Sequence, residues 1–254
     1  MTLIVAIPTA LGLIIAADSR VSTWSGYCDL GFKITEIESH PRTATFMTGT
    51  TTVSEGMNLD PCEHLKHLKF DAADVLREAA ERTDRFDEII EFVLDGTRRF
   101  VAANPNSYAP KKGLSLFQGV VASFDAATHR SRLQSFSVNY LNDGTIAAED
   151  IVSEEFGPED QSKIRLYGEA SYLIQSVLHG PGSRFLTERY GRFQSSVKRI
   201  AEADVNVAAD FAIDLIQAAS KTSDAGLRPA TGIGGPVDVL LLGDDERPKR
   251  LQWK

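Results

Sequence analysis

Apolar positions change their rhythm several times along this chain. Thr2 to Ile7 is an almost unbroken β-branched and apolar run. Pro8-Thr9-Ala10-Leu11-Gly12 reads as a turn, and Leu13 to Asp18 as a second strand. The pair predicts a hairpin with a five-residue connection. Phe32 to Glu38 alternates with period two, the signature of a half-buried strand. Thr43 to Thr48 gives a fourth strand, ended by Gly49. The period then lengthens. Asp71 to Arg82 places Ala72, Val75, Leu76 and Ala79 on one helical face. Phe86, Ile89, Ile90, Val93, Leu94 and Val101 continue at helical spacing until Asn104-Pro105-Asn106 stops them. Strands return at Leu114 to Phe124 and Arg132 to Tyr140, with Asn142-Asp143-Gly144 as the following turn, and at Ile164 to Gly168. Helices are expected at Ala170 to Leu178, Ser183 to Tyr190 and Val205 to Ala219. Val237 to Leu242 is apolar enough for a strand buried on both faces, and Leu251 to Trp253 for a last edge strand.

Strands, helices, strands, helices, strand is a segregated order. It predicts an α+β domain, two sheets face to face with helices on both outer sides, rather than alternating βαβ units. We read residues 1–254 as a single domain, since layered folds reach this length in one unit. The stretch from Thr50 to Phe70 reads as a long irregular loop, an insertion beside a site or at a subunit contact.

Composition narrows the function. A net charge of −8 without a basic stripe argues against nucleic-acid binding. The two cysteines, Cys28 and Cys62, make no disulfide framework and point to thiols in a reducing cytoplasm. The apolar start lacks a basic flank and is interrupted by Pro8 and Gly12, so a secretory leader is not expected. No run approaches the ~18 apolar residues of a membrane span. Cys62, His64 and His67 are spaced unlike common zinc ligands. Gly232, Gly234 and Gly235 precede a strand, the wrong context for a phosphate loop. Neither a metal nor an organic cofactor is expected.

The candidate chemistry sits at the start of the chain. Met1 is followed by a small residue and is expected to be trimmed, leaving Thr2 with a hydroxyl and a free α-amine. An N-terminal amine beside a Thr hydroxyl is a recognised way to activate a weak oxygen nucleophile. Asp18 follows sixteen positions later, and Lys33 stands in Gly31-Phe32-Lys33-Ile34. Lys33 as a cation would push the amine toward its neutral, proton-accepting form. Asp18 would orient Lys33 through a charge-assisted hydrogen bond.

The stretches Thr2 to Ile7, Leu13 to Arg20, Phe32 to Ile34 and Phe46 to Thr50 together resemble the opening of proteasome β-subunits and their bacterial relatives. The likeness is specific over residues 2–53 and architectural beyond. Chain length and the ending Gly232 to Leu240 are most similar to the bacterial ancestral β-subunit (Anbu) branch. The resemblance implies a four-layer αββα sandwich of the N-terminal nucleophile hydrolase type. It implies a cytoplasmic threonine peptidase or amidohydrolase that assembles into a homo-oligomeric ring or related open assembly. It gives the roles of nucleophile, support and base partner to Thr2, Asp18 and Lys33, and that of oxyanion donor to the N–H of Gly49. Peptides or proteins would be the substrate, with an ATP-dependent unfoldase as an open question. Two stretches depart from the family pattern. Glu169 stands in Gly168-Glu169-Ala170 where the family has a Ser, and Ala230 to Gly234 lacks a carboxylate. Glu169 would either hold the α-amine protonated or replace the missing acid. A catalytically weak assembly subunit and a small-molecule amidase remain as alternatives.

Overall fold

The computed structural model describes residues 2–23, 26–49, 51–54, 60–105, 111–168, 199–224 and 233–252. Two antiparallel five-stranded sheets carry the fold, which is α+β. The first contains β1 (Ile4–Thr9), β2 (Gly12–Asp18), β12 (Arg165–Tyr167), β13 (Val237–Gly243) and β14 (Lys249–Gln252), in the order β12-β1-β2-β13-β14. The second contains β5 (Ile34–Glu36), β6 (Thr43–Gly49), β9 (Leu114–Asp125), β10 (Arg130–Tyr140) and β11 (Ile146–Phe156), in the order β11-β10-β9-β6-β5.

β1 is apolar from Ile4 to Pro8 because both of its faces are covered. Ile4 and Ala6 point into a cluster with Phe46, Val120 and Ala122 of the second sheet. Leu3, Val5 and Ile7 point the other way, against Ala208, Phe211, Ala212 and Leu215 of α4 (Val205–Asp224). A third cluster joins the far face of the second sheet to α2 (Ala72–Arg82) and α3 (Phe86–Ala103) through Met47, Leu76, Val93, Phe117 and Phe136. A one-residue slip of β1 would leave its apolar count unchanged, so register must come from its neighbours. Ile4 pairs with Ala17 on one side and with Tyr167 on the other.

Several expectations need correction. Pro8 and Thr9 belong to β1, and Gly12 begins β2, so the hairpin turns on Ala10 and Leu11 alone. Pro8 is tolerated because β12 pairs only with Ile4 to Ala6 and demands no N–H at position 8. The predicted strand Phe32 to Glu38 shortens to Ile34–Glu36, and Phe32 is 80% exposed. The first fifty residues hold six described strands, not four, because β3 (Val21–Thr23) and β4 (Gly26–Cys28) form an extra hairpin. The long loop contains regular elements. β7 (Thr52–Ser54) pairs with β8 (Leu68–Asp71), and a short α1 (Pro61–His64) lies between them. The strand β11 was not anticipated. It is a sheet edge that carries Glu149, Asp150, Glu154 and Glu155 and exposes Ile151 and Val152, so it has no apolar rhythm. The helices expected at 170–178 and 183–190, Glu169, Ala230 to Gly232 and Trp253 lie outside the described residues.

The cysteines also depart from expectation. Cys28 and Cys62 form a disulfide, with S–S 2.09 Å and Cα–Cα 5.0 Å, which ties β4 to α1. A cytoplasmic location, expected from free thiols, loses that support. The zinc-like trio loses its thiolate as well. Closing a loop with a sequence separation of 34 is worth about 3–4 kcal/mol in the chain-entropy picture. Dithiothreitol is therefore expected to lower the melting temperature by roughly 10 °C. An unchanged scan under reducing conditions would contradict a stabilising role for the bond. No helix among the described residues is long and apolar enough to cross a membrane.

Candidate active site

β2 ends at Asp18, and the end of that strand organises the site. The Asp18 side chain is fully buried. Its Oδ1 accepts the Leu3 N–H at 2.9 Å and the Lys33 ammonium at 2.8 Å. Its Oδ2 accepts the Gly234 N–H at 3.3 Å. One carboxylate thus joins the residue after Thr2, the approach to β13 and the segment before β5. The sequence-predicted pair Asp18 and Lys33 is therefore in direct contact, with Lys33 only 7% exposed. Burial pushes the Lys33 ammonium below its ordinary pKa, and Asp18 opposes that fall.

The segment between β2 and Lys33 is braced from within. Arg20 donates from Nε to Asp29 Oδ1 at 2.7 Å and from Nη2 to Asp29 Oδ2 at 3.1 Å, a bidentate pair. The Ser19 hydroxyl donates to the Asp29 carbonyl, and the Gly31 N–H donates to the Ser19 carbonyl, both at 3.0 Å. The Arg20 N–H meets the Gly234 carbonyl at 3.0 Å. Arg20 holds the Asp29 carboxyl below its usual range through that hydrogen bond. The Arg20–Asp29 clamp was not anticipated. Its two members are nine residues apart, and neither position shows in any periodic pattern.

A cleft of about 460 Å³ opens beside this pair. Thr2, Lys33 and Gly49 all line it, so three of the predicted residues share one cavity and the fourth, Asp18, holds Lys33 from beneath. Thr51, Thr52, Leu65 and Leu68 form part of its lining, which puts the 50–70 stretch beside the site. Gly49 closes β6 at φ +105°, and a Cβ there would stand 2.8 Å from the Leu116 carbonyl oxygen. Only glycine fits that turn, which frees the backbone at the cleft. Gly168 is equally constrained. At φ +101°, its Cβ would lie 2.0 Å from the Thr2 carbonyl oxygen.

Tyr167 supports the same corner. It pairs with Ile4 and meets Phe46 edge-on at 5.2 Å between ring centroids. Burial, with a smaller contribution from Glu154, pushes its hydroxyl from 10.0 up to about 12. The folded phenol therefore keeps a proton between about pH 10 and 12 that the unfolded chain has lost. The resulting stability is complete below pH 10 and disappears as pH rises through 12, about 2–3 kcal/mol in all. Tyr167→Phe is expected to flatten the alkaline decline of the urea midpoint measured from pH 9 to 11.5. An equally steep decline in the variant would show that other groups cause it.

No family model matches the chain, and no curated protein sequence is similar to it. Solved structures do match. The helical assembly of the Anbu complex from Pseudomonas aeruginosa aligns with a TM-score of 0.54 at 15% identity, over 99% of this chain and 86% of that one. The Anbu (Gly-1) mutant from Hyphomicrobium sp. strain MC1 aligns with a TM-score of 0.48 at 15% identity, over 99% and 87%. The chain thus shares the fold of the Pseudomonas protein over nearly its whole length. That is the branch its length and its ending, Gly232 to Leu240, resemble.

Proposed function

We propose that this chain is a self-assembling threonine-type N-terminal nucleophile hydrolase that cleaves amide bonds with Thr2 after removal of Met1. Residues 1–254 would form one domain, a four-layer αββα sandwich. The observation that carries this reading is the buried Lys33–Asp18 contact on the wall of the cleft that Thr2 and Gly49 also line. A buried ion pair is seldom a net gain in stability over well-packed apolar side chains. Its position beside a candidate nucleophile gives it a chemical use.

In this mechanism the Thr2 hydroxyl attacks the amide carbonyl carbon while the α-amine takes its proton. The Lys33 ammonium keeps the amine in its neutral form, and Asp18 fixes Lys33 in place. The Gly49 N–H donates to the developing oxyanion, an interaction of typically ~3–4 kcal/mol. The α-ammonium then returns the proton to the leaving amine, and an ester to Thr2 remains. Water hydrolyses that ester by the same proton route in reverse. Glu169, the residue after Gly168 in sequence, is the proposed modulator of the amine. The helical assembly of the Pseudomonas Anbu complex supports self-association of this chain through head-to-tail contacts. Peptides or proteins are the proposed substrates, and the cytoplasm the proposed location.

Intact mass before and after incubation with a peptide epoxyketone tests the reading, because that warhead needs both the hydroxyl and a free α-amine. Loss of Met1 and one adduct per chain is the expected result. Retained Met1 would sink the catalytic reading and favour the assembly subunit, which the Glu169 replacement also favours.

A further inference from the structure

The cleft holds a charged group that the proposed chemistry does not use. Asp71 lines it together with Thr2 and Lys33. Its Oδ1 accepts the Ala73 N–H at 2.9 Å, as N-cap of α2. Its Oδ2 accepts no hydrogen bond from a described residue, and no described cation pairs with the carboxylate. The nearby charge acting on it is Asp74, of like sign. Lys33, the cation in the same cavity, is engaged with Asp18. Burial raises the Asp71 pKa above the ordinary carboxylate value, and the Ala73 hydrogen bond only partly opposes this. A carboxylate in this position is stabilised by a cation that enters from the cleft. Met47, Leu65 and Leu68 add apolar lining of the kind that covers the aliphatic stem of a long basic side chain.

Resting on the hydrolase reading above, we propose that Asp71 selects substrates that place a lysine or arginine side chain in this cleft. The cationic head pairs with Asp71, and the stem lies along Met47, Leu65 and Leu68. Such a site rejects an uncharged isostere, because the carboxylate is then desolvated without a partner.

Two measurements test this. The first compares kcat/KM for peptide aminocoumarins ending in arginine or in citrulline, its neutral near-isostere. Wild type is expected to favour arginine by about 10- to 100-fold. In Asp71→Asn that ratio is expected to fall to about one, while Asn keeps the helix cap that Asp provides. The second needs no turnover. Calorimetric titration of the Thr2→Ala chain with peptide acids ending in arginine or citrulline is expected to show about tenfold tighter arginine binding, lost when Asp71→Asn is added. Equal affinities in the Thr2→Ala chain, or a preference that survives Asp71→Asn, overturn the proposal. An arginine preference in binding without hydrolysis in wild type leaves Asp71 assigned and removes the hydrolase reading instead.

Discussion

Thr2→Ala is expected to lower kcat/KM for a fluorogenic peptide amide by about 10⁴-fold or more. Removing one member of a unit that acts together costs nearly as much as removing all of it, and what remains comes from binding and the oxyanion donor. Alanine is small enough for Met1 still to be trimmed, so the variant isolates the hydroxyl and leaves the amine. The fold should be indifferent. Thr2 precedes β1, and the close approach of Gly168 is to the Thr2 carbonyl, which the substitution does not touch. The melting temperature is expected to stay within about 2 °C of wild type, the range of surface substitutions. Thr2→Ser should keep measurable activity, because it retains both the hydroxyl and the amine. Full activity in Thr2→Ala would transfer the chemistry elsewhere. Lost activity with a collapsed melting temperature would mean the residue is structural.

What could be read from the sequence follows from how each element is buried. β1, β2 and β13 announce themselves because both faces are covered, which makes them nearly continuous apolar runs. α2 and α3 show their stripes because each presents one face to the second sheet and the other to solvent. β11 was invisible because an edge strand with one acidic flank carries no periodic signal. The hairpins β3–β4 and β7–β8 are three or four residues per strand, too short for a period to register. The Cys28–Cys62 bond depends on α1 lying against β4, a tertiary fact with no trace in spacing.

The candidate site was legible in part for the same reasons. Thr2, Asp18 and Lys33 were found from residue type and a family likeness, and the contact between Asp18 and Lys33 is what their chemistry predicts. Asp71 carried a visible signal, an aspartate just before a helical stripe. Its place in the cleft was hidden. It depends on the 50–70 stretch folding back so that Thr52 pairs with Asp71, next to the chain that leaves Gly49. Sequence order alone separates Gly49 from Asp71 by a loop whose return could not be foreseen.

The pair Asp18 and Lys33 links stability to chemistry, and substitution is expected to reveal an asymmetry. Asp18→Ala removes the acceptor of three groups, the Leu3 and Gly234 N–H donors and the Lys33 ammonium. All three would be left in a site with no solvent access at Asp18. Breaking one partner of a buried pair costs about 3–5 kcal/mol, and two orphaned backbone donors place this case at the upper end. A fall of roughly 10–20 °C in melting temperature is expected. Lys33→Met removes one donor and keeps an unbranched apolar stem, while Asp18 retains both backbone hydrogen bonds. Its cost should be smaller, near the lower end of that range. Activity should order differently. Each substitution removes the cation at the site or the group that fixes it, so both should lose about 10²–10³-fold in kcat, and the double variant should be little worse than either. Thermal scans and kinetics on the two single variants and the double variant separate these effects through the interaction energy of the cycle. Additive losses in kcat would mean that Asp18 and Lys33 act independently. Near-wild-type stability for Asp18→Ala would mean that its three hydrogen bonds do not hold β1, β13 and the Lys33 segment together.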